Sequence, residues 1–285
     1  MLATVGRVDD VGRLVASLAA QTRQPLELLV VDQNADDRLL PHVCQAGQAG
    51  LAVHHLRLQP PNLSAARNLG IGHAGGEVIG FPDDDCWYEP GVVAAVSDAF
   101  ASHPDWQGVV AHWVEQAAAE GGTAHDTVLS EAHWRRFRGG NASSITLFLR
   151  TDLLRRLGGF DTRLGVGQWF GAGEETDLVL AALATGAIIG RCGAARVHHR
   201  FAPADQALAG MSWQAMLRRA RGTGALYIKH RLSLGVLMRG LLAPPVKACW
   251  PWRGGHGLAL GLATSAGRLQ GAMAWLFGAQ QGMRR

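Results

Sequence analysis

Three consecutive aspartates, Asp83, Asp84 and Asp85, follow a short apolar run that begins at Val78. A strand that stops at a carboxylate cluster places negative charge at the C-terminal edge of a sheet, where open α/β folds bind ligands. Alternate side chains of an extended chain share a face, so Asp83 and Asp85 are expected to form a pair. Two carboxylates this close repel each other unless one is protonated or a cation lies between them, and oxygen ligands favour Mg²⁺ or Mn²⁺. The cluster therefore indicates a divalent-metal site suited to a diphosphate, although a solvated acidic turn would use the same residues.

A second acidic group, Glu174, Glu175 and Asp177, follows the glycine-rich stretch 165–173. The apolar segment from Leu178 onward predicts a helix that begins next to these acids. Acids near a helix start are favoured by the helix dipole whatever their function. Because a flexible glycine loop can bring an acceptor molecule close, however, the group as a whole favours a catalytic role.

Strand and helix patterns alternate along the chain around these two groups. Strands are predicted at 2–5, 26–31, 51–56, 77–81, 108–114 and 144–149, and helices at 11–21, 64–73, 91–101, 151–157 and 178–185. Ser64 is expected to cap the second of these helices. Four alternating units before residue 86 predict a parallel sheet of the nucleotide-binding type.

The composition excludes several classes of protein. The 285 residues are sufficient for one large domain or for a domain with an appendage. The four cysteines form no CxxC pair and have no histidine at metal-ligand spacing, which argues against a zinc site and a disulfide framework. No basic-then-apolar leader opens the chain, so secretion is not expected. A reducing, cytoplasmic location fits these features best.

The charge distribution divides the chain into two regions. Residues 1–205 contain all 23 acidic residues and 16 of the 27 Lys and Arg residues, whereas residues 206–285 contain 11 bases and no acid. Two apolar stretches, 232–242 and 258–277, lie within this basic tail. The run ahead of Arg268 is too short to span a bilayer, but a basic amphipathic segment suits the surface of an anionic membrane. Packing of these stretches as core helices stays open, and nucleic acid is not expected because no basic nucleic-acid motif is present.

Six short motifs occur in order between residues 2 and 200. They are Ala3-Thr4-Val5-Gly6-Arg7, Val30-Val31-Asp32-Gln33-Asn34, Leu63-Ser64-Ala65-Ala66-Arg67-Asn68-Leu69-Gly70, Phe81-Pro82-Asp83-Asp84-Asp85, Gly159-Phe160-Asp161 and Gly173-Glu174-Glu175-Thr176-Asp177-Leu178. Together they resemble the nucleotide-sugar-dependent glycosyltransferases of family 2, which are inverting enzymes with a GT-A fold. The resemblance implies a Rossmann-like, mostly parallel sheet flanked by helices over 1–205, with a nucleotide-binding half at 1–100 and an acceptor half at 101–205. Residues 206–285 would then form a helical, basic extension.

The resemblance also implies a role for particular residues. The nucleotide would be bound by Thr4, Gly6, Arg7, Asp32, Arg67, Asp83 and Asp84, and Mg²⁺ or Mn²⁺ by Asp83, Asp85 and His198. Catalysis would depend on Glu175 as general base, with Glu174 and Asp177 beside it, while Asn141 and Trp169 would face the acceptor. Arg7 stands where asparagine is commoner in the family, and Glu175 stands where the usual motif has aspartate.

The implied reaction transfers a sugar, with inversion, from a nucleoside diphosphate sugar, preferably UDP-linked, to a hydroxyl acceptor. The acceptor would be a lipid-linked or growing glycan at the inner face of the cytoplasmic membrane, as in polysaccharide or glycolipid synthesis. A sugar-phosphate nucleotidyltransferase also uses aspartates and Mg²⁺, but it usually carries a glycine-rich basic loop near the N-terminus. Arg7 alone is a weak match to such a loop. A non-catalytic, membrane-bound scaffold on the same fold is disfavoured by the intact acids.

Overall fold

A computed structural model describes residues 1–25, 27–116, 127–137, 142–199, 210–249 and 254–282 of the chain. The chain divides into two compact units. The first unit consists of Met1–Glu131, Gly140–Phe160 and Ala181–Phe201, and the second of Ala132–Gly139, Asp161–Leu180 and Ala202–Arg285. The aspartates at 83–85 thus belong to the first unit, whereas the acids at 174–177 share the second unit with the basic C-terminal region.

The first unit begins with a parallel sheet of three strands. These strands are β1 (Leu2–Thr4), β2 (Leu28–Asp32) and β3 (Val53–Arg57), in the order β1-β2-β3, connected by the helices α1 (Val11–Ala19) and α2 (Leu40–Gln48). All five residues of β2 are buried, as expected for a parallel strand that is covered on both faces. Parallel pairing brings the ends of β1 and β2 to one edge, because Thr4 is in register with Asp32.

A second, five-stranded sheet completes this unit. Its strands are β4 (Val78–Gly80), β5 (Cys86–Tyr88), β6 (Trp106–Trp113), β7 (Leu147–Arg150) and β8 (Ile188–His199), in the order β4-β7-β6-β8-β5. Only β6 and β8 are parallel, and the other three pairs are antiparallel. The sequence pattern placed the strand before the aspartates in a parallel sheet of four. In the structure that strand, β4, pairs antiparallel with β7 instead.

Four of the five remaining helices of this part of the chain were predicted from the sequence, two of them with shifted starts, whereas α5 was not predicted. They are α3 (Leu63–His73), α4 (Val92–Ser102), α5 (Glu131–Arg135), α6 (Thr151–Leu157) and α7 (Glu174–Ala184). The cap of α3 is Asn62 rather than Ser64, since the Asn62 side chain accepts a hydrogen bond from the backbone of Ala65. Helix α7 begins at Glu174, four residues earlier than predicted, so the acidic group forms its first turn.

One hydrophobic core joins the two sheets of the first unit. It includes Leu14 of α1 and Val30 of β2, together with Val109 of β6 and Val197 of β8. Side chains in such a core interdigitate at close-packed density, so the strands cannot shift independently. The loops at the ends of β1, β2 and β4 are therefore held in fixed positions relative to one another.

The second unit contains the helices predicted for the basic tail. They are α8 (Trp213–Lys229), α9 (Leu234–Cys249) and α10 (Gly254–Gly282). Helix α10 lies close against α8 because glycines face the neighbouring backbone: a Cβ at Gly271 would lie 1.9 Å from the carbonyl oxygen of Arg221. Leu226 of α8 and Trp275 of α10 contribute to a small core with Leu164.

Two rows of apolar side chains on these helices are exposed. Helix α9 exposes Leu234, Met238, Leu242 and Val246, and α10 exposes Leu262, Leu269, Met273, Leu276 and Phe277. Spacings of three, four and seven residues place each row along one side of its helix. None of the helices in the described ranges is long and apolar enough to cross a membrane.

Candidate functional site

The ends of β1 and β2 form the first part of the site. Asp32 is fully buried, and one of its oxygens accepts hydrogen bonds from the backbone and side-chain amides of Asn34, both at 2.8 Å. Its other oxygen lies 3.0 Å from Nε2 of His55. The side-chain oxygen of Asn34 accepts a 2.8 Å hydrogen bond from the backbone of Gly6. Through Asn34, Asp32 thus fixes the loops that follow both strands, and its role in binding the nucleotide base stays a prediction.

The loop after β4 carries the three aspartates, and its backbone turns at Asp84 and Asp85. The alternation expected from an extended chain, with Asp83 and Asp85 on one face, therefore does not apply. Oδ1 of Asp83 lies 3.3 Å from the guanidinium of Arg67, which is buried. The hydroxyl of Thr4, at the end of β1, donates a 2.7 Å hydrogen bond to Asp84. Tertiary contacts rather than strand geometry determine where each carboxylate points.

The charges and burial of this loop favour a positively charged ligand. The exposed side chain of Arg7 forms ion pairs with Asp84 and with Asp85. Removal from water raises the pKa of Asp83 above its ordinary value, and Arg67 only partly offsets this. Burial also raises the pKa of Asp84, against the hydrogen bond from Thr4. The burial penalty on the Asp83 and Asp84 carboxylates favours a ligand that brings positive charge.

The two histidines that end β8 lie in different surroundings. Nε2 of His199 is 2.9 Å from Oδ1 of Asp85. His198 instead lies between two carboxylates, with Nδ1 at 2.8 Å from Glu115 and Nε2 at 3.1 Å from Glu89. Adjacent residues of a strand face opposite sides of the sheet, so only one of the pair can reach Asp85. His199 rather than His198 contacts Asp85, and the metal-ligand role that the family resemblance implied for His198 stays a prediction.

The donor set around Asp85 has the chemistry of a Mn²⁺ or Mg²⁺ site. Carboxylate oxygens suit both ions, whereas an imidazole nitrogen is more typical of Zn²⁺, Cu²⁺ or Fe²⁺ sites. Among the described residues, no group of three or more His, Cys, Asp or Glu side chains is arranged to hold a metal ion. Mg²⁺ is commonly held by one or two carboxylates and completed by substrate phosphates, so the carboxylates of Asp83 and Asp85 suit an ion that binds together with a nucleotide. Arg7 can move aside to admit it, because its side chain is 58% exposed.

A pair of motifs that are distant in sequence meet beside this loop. The side-chain amide of Asn68 donates a 2.8 Å hydrogen bond to the carbonyl of Phe160, and its oxygen accepts a 2.7 Å hydrogen bond from the Phe160 backbone amide. Gly159 has a φ of +75°, and a Cβ at this position would lie 2.3 Å from the Asn68 oxygen. The neighbouring Arg67 extends over the Phe160 ring towards Asp83. These contacts bring the Arg67-Asn68 and Gly159-Phe160 motifs together beside the aspartate loop.

In the second unit, the acidic motif is held by helix α8. Oδ2 of Asp177 lies 2.7 Å from Lys229 Nζ, and its Oδ1 lies 2.7 Å from His230 Nε2. The same ammonium group is 2.8 Å from Asp161, which also pairs with Arg163. Partial burial acts to raise the pKa of Asp161, but the hydrogen bonds from Arg163 and Lys229 outweigh it and hold the pKa well below its ordinary value. With both oxygens engaged, Asp177 has the surroundings of a structural ion pair.

The predicted catalytic acids Glu174 and Glu175 differ in their burial. Both Glu174 and Glu175 line an open cleft in this unit, but Glu174 is buried and Glu175 is only partly buried. Trp169, predicted to face the acceptor, is 48% exposed on the glycine-rich loop that forms another wall of the same cleft. Asn141, the other predicted acceptor residue, lies outside the described residues.

The structure thus brings most of the predicted site residues into two groups. The first unit assembles Thr4, Arg7, Arg67, Asp83, Asp84 and Asp85, with Gly6 and Asp32 joined through Asn34. The second assembles Glu174, Glu175 and Asp177 at the start of α7. Sequence reasoning did not find the roles of Asn68, Lys229 and His230, although Asn68 stood inside a motif that it had singled out.

Comparison with known proteins identifies the family. The sequence profile described as "Glycosyl transferase family 2" matches residues 2–147, which is just over half of the chain. The chain belongs to this family. Its matched region ends at β7 and contains the nucleotide-side motifs and the three aspartates, so the family resemblance predicted from those motifs is confirmed.

Two curated proteins are similar to part of this family 2 chain. The uncharacterized glycosyltransferase YwdF of Bacillus subtilis is 30% identical over 91 residues, which cover 32% of this chain and 33% of that protein. The glucosyl-dolichyl phosphate glucuronosyltransferase of Haloferax volcanii is 27% identical over 99 residues, covering 35% of this chain and 32% of that protein. The matches span about a third of each relative's length.

Solved structures share the fold over almost the whole chain. The mannosyltransferase PcManGT of Pyrobaculum calidifontis, in complex with GDP-Man and Mn²⁺, has a TM-score of 0.64 at 14% identity, covering 97% of this chain and 86% of that one. The S. aureus TarS 1-349 structure in complex with UDP-GlcNAc has a TM-score of 0.58 at 13% identity, covering 97% and 91%. At these identities the likeness concerns the fold, and it confirms the predicted GT-A architecture with a helical C-terminal region.

Proposed function

We propose that this family 2 glycosyltransferase transfers a sugar with inversion from a nucleoside diphosphate sugar, preferably UDP-linked, to a hydroxyl acceptor in polysaccharide or glycolipid synthesis. The observation that carries the proposal is the meeting of Thr4, Arg67 and the three aspartates at one loop cluster of the first unit. That cluster follows the ends of β1 and β4 and combines carboxylates with arginines, as a site for a metal-bound diphosphate requires. Solved relatives bound to UDP-GlcNAc and to GDP-Man with Mn²⁺ support a nucleotide-sugar donor.

In this mechanism the first unit stabilises the departing nucleoside diphosphate. Asp85 and Asp83, with His199, would hold Mg²⁺ or Mn²⁺, which when bound would supply Lewis-acid neutralisation of the charge that develops on the diphosphate. Arg67 orients Asp83 through their 3.3 Å contact. Thr4, Gly6 and Asp32 would position the nucleoside, with Arg7 and Asp84 close to the phosphates.

Glu175 would act as the general base in the second unit. It would accept the proton of the acceptor hydroxyl while that oxygen forms its bond to the anomeric carbon. The glycosyl–phosphate bond breaks in the same displacement, and its electron pair leaves with the diphosphate, so the configuration inverts. Glu174 and Asp177 would support Glu175, since Asp177 is held by Lys229 and His230.

A panel of nucleotide sugars tests this proposal. Full-length protein is incubated with Mn²⁺ and each donor, and protection against thermal unfolding is followed by product analysis. A donor present at a hundred times its dissociation constant should add about 2.7 kcal/mol to the free energy of unfolding. Release of a nucleoside diphosphate supports glycosyl transfer. Release of pyrophosphate from a nucleoside triphosphate and a sugar phosphate would instead indicate a nucleotidyltransferase, and lack of any metal-dependent nucleotide binding would indicate a scaffold.

The exposed apolar rows support a peripheral position at the inner face of the cytoplasmic membrane. The rows on α9 and α10 lie in a region that contains 11 bases and no acid. Apolar side chains can enter the interface while Lys and Arg attract anionic lipid, at about 1 kcal/mol for each base near the surface. Such a location would place the enzyme beside a lipid-linked or growing glycan acceptor.

We expect the protein to sediment with vesicles of phosphatidylglycerol and phosphatidylcholine, and high salt to reverse this only partly. Salt screens charge attraction over roughly 10 Å at 0.1 M but leaves apolar insertion in place. The double variant Leu234→Asp/Leu242→Asp should lose binding, while Val128→Asp, at an exposed apolar position of the first unit, should retain it. Point variants are preferable to truncation after residue 205, which would also remove Lys229 and His230. If the full-length chain stays in the supernatant at low salt, the membrane proposal fails.

A further inference from the structure

The second unit contains a cleft of about 440 Å³ in which acidic and basic side chains face each other. Its walls include Val166, Gln168, Glu174, Glu175, Arg218 and Arg219. The glycine-rich loop and the first turn of α7 form one side, and helix α8 forms the other. Its volume lies in the range that holds a small molecule or one residue of a larger one. Glu175, the proposed base, is thus found in a cavity with two arginines.

Arg218 and Arg219 are exposed, and no residue in the described ranges holds either side chain in an ion pair or a hydrogen bond. Arg221, by contrast, stacks over Trp169 at 4.3 Å and donates a hydrogen bond to Gln270. Like-charged neighbours repel each other, so two adjacent arginines at a cleft favour an anion that both can contact.

We propose that this cleft binds the acceptor and that Arg218 and Arg219 bind a phosphate group carried by that acceptor. The inference rests on the proposed function, because it uses Glu175 as the base that receives the acceptor hydroxyl. Guanidinium groups bind phosphate through paired, charge-assisted hydrogen bonds, and two of them match the charge of a phosphate dianion. Residues 206–285 contain 11 bases and no acid, so the surrounding region adds a positive long-range field that also favours an anion. The phosphate-bearing acceptor is either lipid-linked or a soluble phosphoglycan unit.

The cleft is assigned to the acceptor and not to the donor because the protein offers separate cationic side chains for each substrate. The donor diphosphate is assigned to the aspartate loop of the first unit, where Arg7, Arg67 and a bound metal ion would supply positive charge. The cleft of the second unit contains the proposed base, which has to contact the acceptor hydroxyl. Phosphate at Arg218 and Arg219 would therefore orient the acceptor without competing for the metal ion.

Protection of arginines from phenylglyoxal tests binding directly. Full-length protein is modified in the presence of inorganic phosphate, glycerol 3-phosphate, dodecyl phosphate or UDP, and modification is measured at each arginine by peptide mass spectrometry. Both phosphate esters should lower modification of Arg218 and Arg219 severalfold and leave the exposed Arg231 unchanged. Stronger protection by dodecyl phosphate identifies a lipid-linked source, and stronger protection by glycerol 3-phosphate a soluble one. Protection by UDP alone, or no protection by either ester, would overturn the inference.

Kinetics provide the second arm of the test. Arg218→Gln/Arg219→Gln is compared with the matched double variant Arg231→Gln/Lys247→Gln, using an alkyl glycosyl phosphate and the same alkyl glycoside without phosphate as acceptors. In the Arg218→Gln/Arg219→Gln variant, loss of charge-assisted hydrogen bonds should raise KM for the phosphate acceptor by about tenfold to a hundredfold. The KM values for the donor and for the neutral acceptor should stay unchanged. An equal loss with both acceptors would contradict the inference. If the wild-type chain transfers no sugar from any donor, the proposed function fails and the acceptor assignment with it, whereas turnover without phosphate protection overturns the acceptor assignment alone.

Discussion

Replacing Asp85 with asparagine should abolish metal-dependent binding of the nucleotide sugar while the fold stays intact. The substitution exchanges a carboxylate for a neutral amide of nearly the same shape beside His199, so the site loses a charged oxygen ligand. Asp85 lies in a turn, and its other partner, Arg7, is exposed, so little of the core depends on it. Calorimetric titration of the donor with and without Mn²⁺ measures the effect directly.

The matched control for this substitution is Asp36→Asn. Asp36 is exposed in the first unit and pairs with Arg38, so its replacement removes the same charge from a surface position. Donor affinity of this variant should equal that of the wild type. If Asp85→Asn retained the wild-type affinity in Mn²⁺, the metal assignment would be wrong, and Arg7 would be left as the main cationic group beside Asp84 and Asp85.

Glu175→Gln should reduce turnover by roughly 10² or more, the scale of a lost general base, and should leave donor binding unchanged. The amide keeps the shape of the side chain but cannot accept the acceptor proton. Glu174→Gln should have a smaller effect: both acids line the cleft, but Glu174 is buried and Glu175 is only partly buried. Single-turnover rates and donor affinities of the two variants, measured side by side, decide between them.

Asp177→Asn separates a structural role from a catalytic one. Asp177 contacts both Lys229 and His230, so its replacement should lower the melting temperature, which Glu175→Gln should leave near the wild-type value. Hydrogen bonds to charged groups contribute about 1.5–3 kcal/mol each. Should Glu174→Gln or a stably folded Asp177→Asn prove more damaging to turnover than Glu175→Gln, with donor affinity unchanged, the base must be reassigned.

The sequence alone determined the family and the class of fold. The order and spacing of the motifs at Thr4, Asp32, Arg67 and Asp83–Asp85 were sufficient, and the family match over 2–147 confirmed them. Helical periodicity placed α1 and α6 correctly, because the buried face of a helix shows in the sequence as apolar residues spaced three or four positions apart. Helix α2 was not predicted, because its one buried residue is Ala46 and its apolar pattern is therefore weak.

Only the tertiary structure decided which side chains meet. Whether His198 or His199 reaches Asp85 depends on which face β8 presents when it pairs with β5, and a shift of one residue exchanges the two. The contacts of Asn68 with Phe160 and of Asp177 with Lys229 join positions 92 and 52 residues apart. Local patterns carry no information about such pairs, because the chain between them has to fold before the two groups come close. The sequence also did not show which partner each aspartate contacts. The directions of these side chains follow from Thr4, Arg7 and Arg67 and not from the strand that precedes them.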